Sequence, residues 1–395
     1  MKDIRADFPM LEKHPEVIYF DNACTALKPQ TVIDAIVEYY TEFGACGGRS
    51  SHQLARKTNN KLDESREKVA KFVNADPEGL VWTRNATESL NLVAGSFDFS
   101  QRRKVVTTVM EHHSVLLPFM KLRDQGKIDL EILPCDENAE VRMEKWENAI
   151  DKECALIVTN SWNNTTGGGN NIPELSKLGH DSGALICVDG AQGVPHHKTD
   201  LKGENIDFLC FSGHKMLGPT GIGALAMRKE DIPKLRPFIV GGGTVMKTSI
   251  EQAESATDQT RFEAGIQHYA GIIGFAAACD YLSDYGMDNV ESLEKEFADA
   301  LVSTIKDAGA TVYGKADRAG AVCSFNFKGG KPHDVALMLD KENIALRSGF
   351  FCAQPGLEAI GASGGAVRAS AYIYNTLDEV KKFSEALEKV SVLYG

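Results

Sequence analysis

The stretch from Val188 to Gly223, VDGAQGVPHH…DFLCFSGHKMLGPTGIG, constrains this chain more than any other. An acid, Asp189, ends the apolar run 184–188, and a lysine, Lys215, follows a second apolar run, 206–211. Both runs are short, β-branched or aromatic, and bounded by Gly or Asp, which is the pattern of buried strands. Each polar group therefore sits where a strand gives way to a loop, the place where open α/β sheets bind ligands. A carboxylate and an amine delivered in this way suit pyridoxal phosphate. The amine forms a Schiff base with the aldehyde, and the acid keeps the pyridine nitrogen protonated. Ser212 and His214, which flank the lysine, are candidates to donate to the phosphate and aldehyde ends.

The bulk properties narrow the class. At 395 residues the chain is longer than one hydrophobic core usually serves, so two domains are expected. A net charge of −12 argues against non-specific binding to nucleic acid or to anionic membranes. No apolar run approaches the roughly 20 residues of a membrane span. The start, MKDIRADFPMLEKH, is charged and does not read as a secretory signal. Nine widely spaced cysteines with no CxxC read as free thiols in a reducing cytoplasm, without a structural zinc site.

In chain order, strands are expected over 17–20, 80–83, 104–109 and 155–159, and helices over 30–40, 53–74, 87–94 and 173–182. Alternation of this kind implies a mainly parallel sheet with helices on both faces. GACGGRSSH, residues 44–52, is a loop in which Arg49 and His52 are candidates to face a ligand. Thr87 is expected to cap the helix after the strand 80–83. That turn is a ready anion site, so the cofactor phosphate is assigned there, with Ala86 and Thr87 donating. One of the adjacent histidines in MEHHSV, His112, is a candidate to lie flat on a pyridine ring. SWNNTTGGGNN resembles a phosphate loop only weakly, since no GK[ST] follows; its useful group is Asn164, a partner for the ring oxygen. Beyond Gly223 come a glycine-rich loop, 239–246, and a long apolar helix from about Tyr269 that bridges to a second domain. Helices at 290–308 and 333–339, a strand at 322–327, a strand-like VRASAYIY and a last helix follow. That last helix opens on a capping box, Thr376 with Glu379.

With Asp189, Gln192, Ser212, His214, Lys215, RFEAG, LRSGFFCAQP and VRAS taken together, the chain resembles the class V aminotransferase family of fold-type I pyridoxal phosphate enzymes. Within it the chain looks most like the SufS-type cysteine desulfurases, with selenocysteine lyase the near relative. The resemblance runs from YFDNA at Tyr19 to YIYNT at Thr376. It implies an α/β fold of the fold-type I transferase kind: a large pyridoxal phosphate domain over residues 16–265, with a mainly parallel sheet flanked by helices. A smaller α+β C-terminal domain would cover 266–395, with residues 1–15 packing on it. It implies that Lys215 is the cofactor-linked lysine and Asp189 the partner of the pyridine nitrogen. Gln192 and Asn164 resemble the partners of the ring hydroxyl, and His112 the stacked histidine with a share in catalysis. Ala86, Thr87, Ser212 and His214 resemble the phosphate cradle. Arg368 looks like the clamp on a substrate α-carboxylate, with Arg347, His52 and Asn164 beside it. Cys352 resembles the thiol that takes sulfur from L-cysteine as a persulfide, a nucleophile that nearby cations would favour. The resemblance further implies a homodimer and a sulfur-acceptor protein of the iron–sulfur assembly type.

The chain departs from the family's pattern at three places. Phe350 and Phe351 stand where histidines are frequent, which makes the surroundings of the thiol more apolar. Ile266 stands where a threonine usually reaches the partner subunit's phosphate. Cys24 and Cys46 occupy N-terminal loops that the family places near the substrate, either as bystanders or as extra sulfur carriers. Two other readings remain open on the residues alone. One is transamination or a kynureninase-like cleavage on the same scaffold, which leaves Cys352 idle. The other is a non-catalytic sulfur-carrier scaffold without a cofactor, against which the intact Asp–Lys pair weighs.

Overall fold

The computed structural model describes residues 4–48 and 50–394. Arg49 lies outside the described residues, as do residues 1–3 of the N-terminal segment. The larger sheet has seven strands: β1 (Leu80–Thr83), β2 (Lys104–Thr108), β3 (Asp129–Leu133), β4 (Cys154–Asn160), β5 (Leu185–Asp189), β6 (Phe208–Ser212) and β7 (Gly223–Met227). Their spatial order is β1-β7-β6-β5-β4-β2-β3. Every neighbour pair from β6 across to β3 is parallel, whereas β7 runs antiparallel to both β6 and β1. The sheet is thus mainly parallel, as expected. The antiparallel strand arises because the link from Ser212 to Gly223 carries only a single helical turn, too short for a crossover. All of β1, β4, β6 and β7 is buried, which is how strands covered by helices on both faces read.

Element positions follow the expected pattern to within a few residues. Helices span Gln30–Glu42, Gln53–Phe72, Ala86–Ser96 and Ile172–Ser182. Three features differ. The cap of helix Ala86–Ser96 is Asn85, whose side chain accepts from Glu88 N at 3.0 Å; the Thr87 hydroxyl turns instead to Ser114 Oγ at 2.6 Å. A helix also forms over His113–Asp124 in spite of an internal Pro118. The glycine-rich segment after 239 runs into a hairpin, Val245–Thr248 with Ala253–Ser255.

A second, four-stranded antiparallel sheet holds β8 (Thr311–Val312), β9 (Val322–Asn326), β10 (Arg347–Gly349) and β11 (Ala366–Ser370), in the order β8-β9-β11-β10. The strand-like VRASAYIY is a strand only as far as Ser370. Beyond it Tyr372 and Tyr374 turn into the core, fully buried. Helix Met287–Asp307 packs on β8 and β9 and also contacts helix Leu377–Ser391. Helix Tyr269–Tyr285 packs against Gln30–Glu42 and Gln53–Phe72, so it links the two halves of the chain. The described part of the N-terminus lies on the C-terminal elements. Arg5 Nη1 donates to Tyr374 O and to Glu379 Oε1, both at 2.8 Å, and the Phe8 and Tyr374 ring centroids are 4.6 Å apart.

The capping box of the last helix is present, with Thr376 and Glu379 each satisfying the other's backbone N–H. Glu379 is also bound by Arg5 and by Asn375 Nδ2. Thr376→Ala is therefore expected to lower unfolding stability by about 1 kcal/mol, and Glu379→Ala by clearly more, in urea titration. Equal losses would mean that Glu379 does not fasten the N-terminal segment.

Candidate active site

The carboxyl ends of three adjacent parallel strands set the site. Register places Asn160 on β4 opposite Asp189 on β5, and Asp189 opposite Cys210 on β6, two residues before Ser212. The loops that follow these strands therefore open onto one cavity. It is lined by Asp189, Gln192, Ser212, His214 and Lys215, and also by Ala86, Thr87, His112, Asn164, Arg347, Cys352 and Arg368. Arg49 lies outside the described residues; of the residues expected at the site, all those described meet there except His52. That residue is exposed and caps helix Gln53–Phe72, accepting from Ala55 N at 3.2 Å. Its position, just ahead of a helix, is explained by the cap alone. Cys46 is exposed and is not part of the cavity wall either, whereas Cys24 is.

Lys215 and Asp189 face this cavity without forming an ion pair. Burial lowers the Lys215 amine below the usual lysine range; Asp189 opposes this and Arg368 adds to it. Burial likewise raises Asp189, against the pull of Lys215 and of Ala191 N–H, which donates to Oδ1 at 3.0 Å. His112 is held down to about 3, first by burial and then by Lys215, His113 and Arg368, so its ring is neutral at physiological pH. Its Nδ1 accepts from Ser114 N at 3.1 Å, which leaves the ring proton on Nε2. His112 itself precedes helix His113–Asp124 as its cap, so His113 is carried away from the cavity. His214 is lowered to about 4 by burial, Lys215 and Lys28.

The donor set fits a flat, anionic, aldehyde-bearing cofactor. Ala86 N, at the start of a helix, donates to Ser212 Oγ at 2.8 Å, so a backbone donor and a hydroxyl lie side by side at a helix N-terminus. Gln192 is 4% exposed; its Nε2 donates to Ala23 O at 2.8 Å while Oε1 has no partner. The Arg368 Nε is also buried without a partner. Both residues line the cavity, so these atoms are available to a ligand held there. Gly167 and Gly169, by contrast, serve packing. A Cβ on Gly169 would lie 1.9 Å from Ser161 O, and one on Gly167 would lie 2.4 Å from Gly320 O.

Two arginines stand at the C-terminal side of the cavity. Arg347 and Arg368 are cross-strand partners on β10 and β11, an unfavourable pairing of like charges. Asp21 answers it, 3.2 Å from Arg368 Nη2 and 3.8 Å from Arg347 Nη1. One carboxylate against two guanidinium groups leaves a net positive pocket, suited to a substrate carboxylate. Arg368 also donates to Asn164 O at 3.0 Å and lies over the Phe351 ring at 4.8 Å. Phe351, standing where a histidine was the expectation, therefore forms the floor under this cation. The exposed Cys352 follows it in a tight turn. Phe351 and Cys352 both have positive φ, 51° and 57°, rare for side-chain-bearing residues. The turn is pinned by Asn164 Nδ2 donating to Phe351 O at 2.8 Å and by His113 N donating to Cys352 O at 2.7 Å. Asn164 thus spends its amide on the Cys352 turn, which sequence reasoning did not foresee.

Sequence reasoning also passed over Glu111, next to His112. It is fully buried, and its two oxygens accept from Thr108 Oγ1, Thr159 Oγ1, Asn160 N and Asn160 Nδ2 at 2.7–2.8 Å. It therefore ties the ends of β2 and β4 beneath His112. Burial raises it from an ordinary 4.5 to about 7, with the hydrogen bonds opposing and the Asp189 charge adding to the rise. A carboxyl raised on folding contributes stability that is complete below its unfolded value and is lost as pH climbs through its folded value. Relative to Glu111→Gln, the wild type should thus lose stability between about pH 4.5 and 7. Thermal melts of both proteins across that window test this, and a constant difference in Tm would refute it.

Comparison with known proteins agrees with the geometry. The profile of the family described as "Aminotransferase class-V" matches residues 18–383. A protein named probable cysteine desulfurase from Pyrococcus abyssi is 38% identical over 394 residues, covering 98% of this chain and 97% of that one. The apo structure of a cysteine desulfurase from Thermococcus onnurineus NA1 superposes with a TM-score of 0.95 at 36% identity, covering 99% of both chains. The cysteine desulfurase CsdA from Escherichia coli, solved as an S-sulfonic acid form, gives a TM-score of 0.90 at 31% identity, over 99% of this chain and 98% of that one. With the family profile matched over residues 18–383 and full-length relatives of this fold at 36–38% identity, the chain belongs to the class V aminotransferase family.

Proposed function

We propose that this chain is a pyridoxal phosphate-dependent cysteine desulfurase, converting L-cysteine to L-alanine with the sulfur received by Cys352. The observation that carries the reading is that the exposed Cys352 opens onto the same cavity as Lys215, Asp189 and the arginine pair. When bound, the cofactor supplies a sink for the electrons released at the substrate α-carbon. Ala86, Thr87, Ser212 and His214 would hold its phosphate, Asp189 its pyridine nitrogen, Gln192 and the remaining amide N–H of Asn164 its hydroxyl, and His112 one ring face. Lys215, whose amine burial makes easier to deprotonate, moves the proton at the α-carbon. Arg368, with Arg347 beside it, orients the substrate carboxylate. Cys352 sulfur bonds to the substrate sulfur as the carbon–sulfur bond breaks, and the electron pair of that bond stays with carbon.

The same reading divides the chain into a cofactor-binding domain, 16–265, and a C-terminal domain, 266–395, with residues 1–15 on the latter. It makes the protein a homodimer that passes sulfur to an acceptor of iron–sulfur cluster assembly. A cytoplasmic setting suits nine cysteines that are all free thiols. No helix among the described residues is long and apolar enough to cross a membrane. Dimerisation is supported by exposed apolar side chains at Val37 and Tyr40 and at Phe238, Ile239, Val240 and Ile266. Ile266, which replaces the usual threonine, is 72% exposed and lies among these.

Lys215→Ala should abolish both turnover and the visible absorbance of the lysine-linked cofactor. Cys352→Ser should keep that absorbance yet bring alanine and sulfide release from cysteine to background, because a serine hydroxyl is a poor nucleophile towards sulfur. Full activity in either variant would reject the assignment. Amino transfer to a keto acid without sulfur release would favour the aminotransferase reading instead. Light scattering should give about twice the 43.0 kDa chain mass; an active monomer would contradict the dimer.

A further inference from the structure

We propose that Cys24 is a second sulfur-accepting thiol of this site, one that takes the terminal sulfur from a persulfide on Cys352; the inference rests on the desulfurase reading above. Two thiols line the cavity, not one: Cys24 and Cys352 both stand in its wall, which Lys215 also faces. Cys24 is also engaged by one of the two arginines. Arg347 Nη1 donates to Cys24 Sγ at 3.1 Å, so a guanidinium group stands ready to hold the negative charge of a sulfur anion at that atom. Arg368, the cross-strand partner of Arg347, lines the same cavity and keeps a buried, unpartnered Nε. The cavity that holds this thiol therefore has unspent donor capacity in its wall.

The backbone around Cys24 is fixed, whereas the side chain of Cys352 is exposed. Cys24 N donates to Asp21 O at 3.1 Å, Ala23 N to Ser370 Oγ at 2.8 Å, and Asn22 Nδ2 to Ser370 O at 2.6 Å. Cys24 is thus a stationary, half-buried station facing the same cavity as an exposed sulfur carrier. In the transfer, Cys24 thiolate attacks the terminal sulfur of the Cys352 persulfide. A bond forms between Cys24 Sγ and that sulfur, and the bond from it to Cys352 Sγ breaks. The electron pair leaves on Cys352 Sγ as a thiolate. Sulfur oxidation levels are conserved and no outside oxidant or reductant is consumed. Cys352 is then free for another substrate sulfur before the first has left the protein.

The test is a peptide map of the cofactor-loaded wild type after L-cysteine without reductant, with thiols and persulfides alkylated. We expect a gain of one sulfur atom on both the Cys24 and the Cys352 peptides, with a first burst of about two alanines per loaded chain. Cys24→Ser should stop at about one alanine, with all added sulfur on Cys352. Cys352→Ser should leave the Cys24 peptide unmodified, since transfer runs through Cys352. The wild-type map needs no variant, so misfolding of a mutant cannot mask the answer. Persulfide on Cys352 and never on Cys24 overturns the inference while leaving the desulfurase reading intact, as does a Cys24–Cys352 disulfide with hydrosulfide released. Absence of alanine from the wild type overturns the desulfurase reading and this inference with it.

Discussion

Arg368 is a buried cation, and the geometry around the site follows from the need to satisfy it. It is 2% exposed, and a charge taken out of water survives only when paired and hydrogen-bonded. Its partners come from three separate parts of the chain: Asp21 from the N-terminal loop, Asn164 O from the loop after β4, and the Phe351 ring from the Cys352 turn. The guanidinium therefore fastens the C-terminal sheet to the end of the large sheet. In doing so it holds the turn that bears Cys352 at the wall of the cavity that Lys215 faces. Its unpartnered Nε leaves part of this cation's hydrogen-bonding capacity for a ligand.

Around that cation the site separates charge by environment. Asp189 and Lys215 share a cavity without touching, and burial moves each towards its neutral form while the other opposes it. A bound cation on the cofactor ring would favour the ionised acid, and a neutral amine is the form that can form a bond to an aldehyde. His112 is neutral for the same reasons of burial and positive neighbours, and a neutral ring can stack on a positively charged one without repulsion. The strand register sets these relationships, because it brings Asn160, Asp189 and Cys210 level with one another at the carboxyl edge of the sheet.

Several elements were legible because local rules and tertiary packing agree there. β1, β5 and β6 are apolar runs that end in loops, and the structure buries nearly all of them. The Thr376–Glu379 capping box is a local contact between residues three apart, so sequence suffices to find it. Other features depend on neighbours far along the chain. Asn85 and Thr87 are both competent caps, and Asn85 prevails because Thr87 finds a hydroxyl partner in Ser114. β3 is a partly exposed edge strand with acidic residues, so its apolar signal is weak. His52 reads as a ligand-facing residue in a glycine-rich loop, yet its contact is a local cap.

What the sequence by itself determined was the chemistry. It displayed a lysine and an acid at two strand ends, a turn and helix start after β1, and a cysteine in a glycine-flanked loop. These depend on residue type and on contacts between near neighbours in the chain. Only the tertiary structure decided which of these groups share a cavity. It put Arg347 opposite Arg368, set Asp21 between them, spent the Asn164 amide on the Cys352 turn, and brought Cys24 in while leaving His52 and Cys46 outside. The physical reason is that buried charges and buried polar atoms must find partners. Those partners come from wherever the fold brings the chain together, at separations no local pattern encodes.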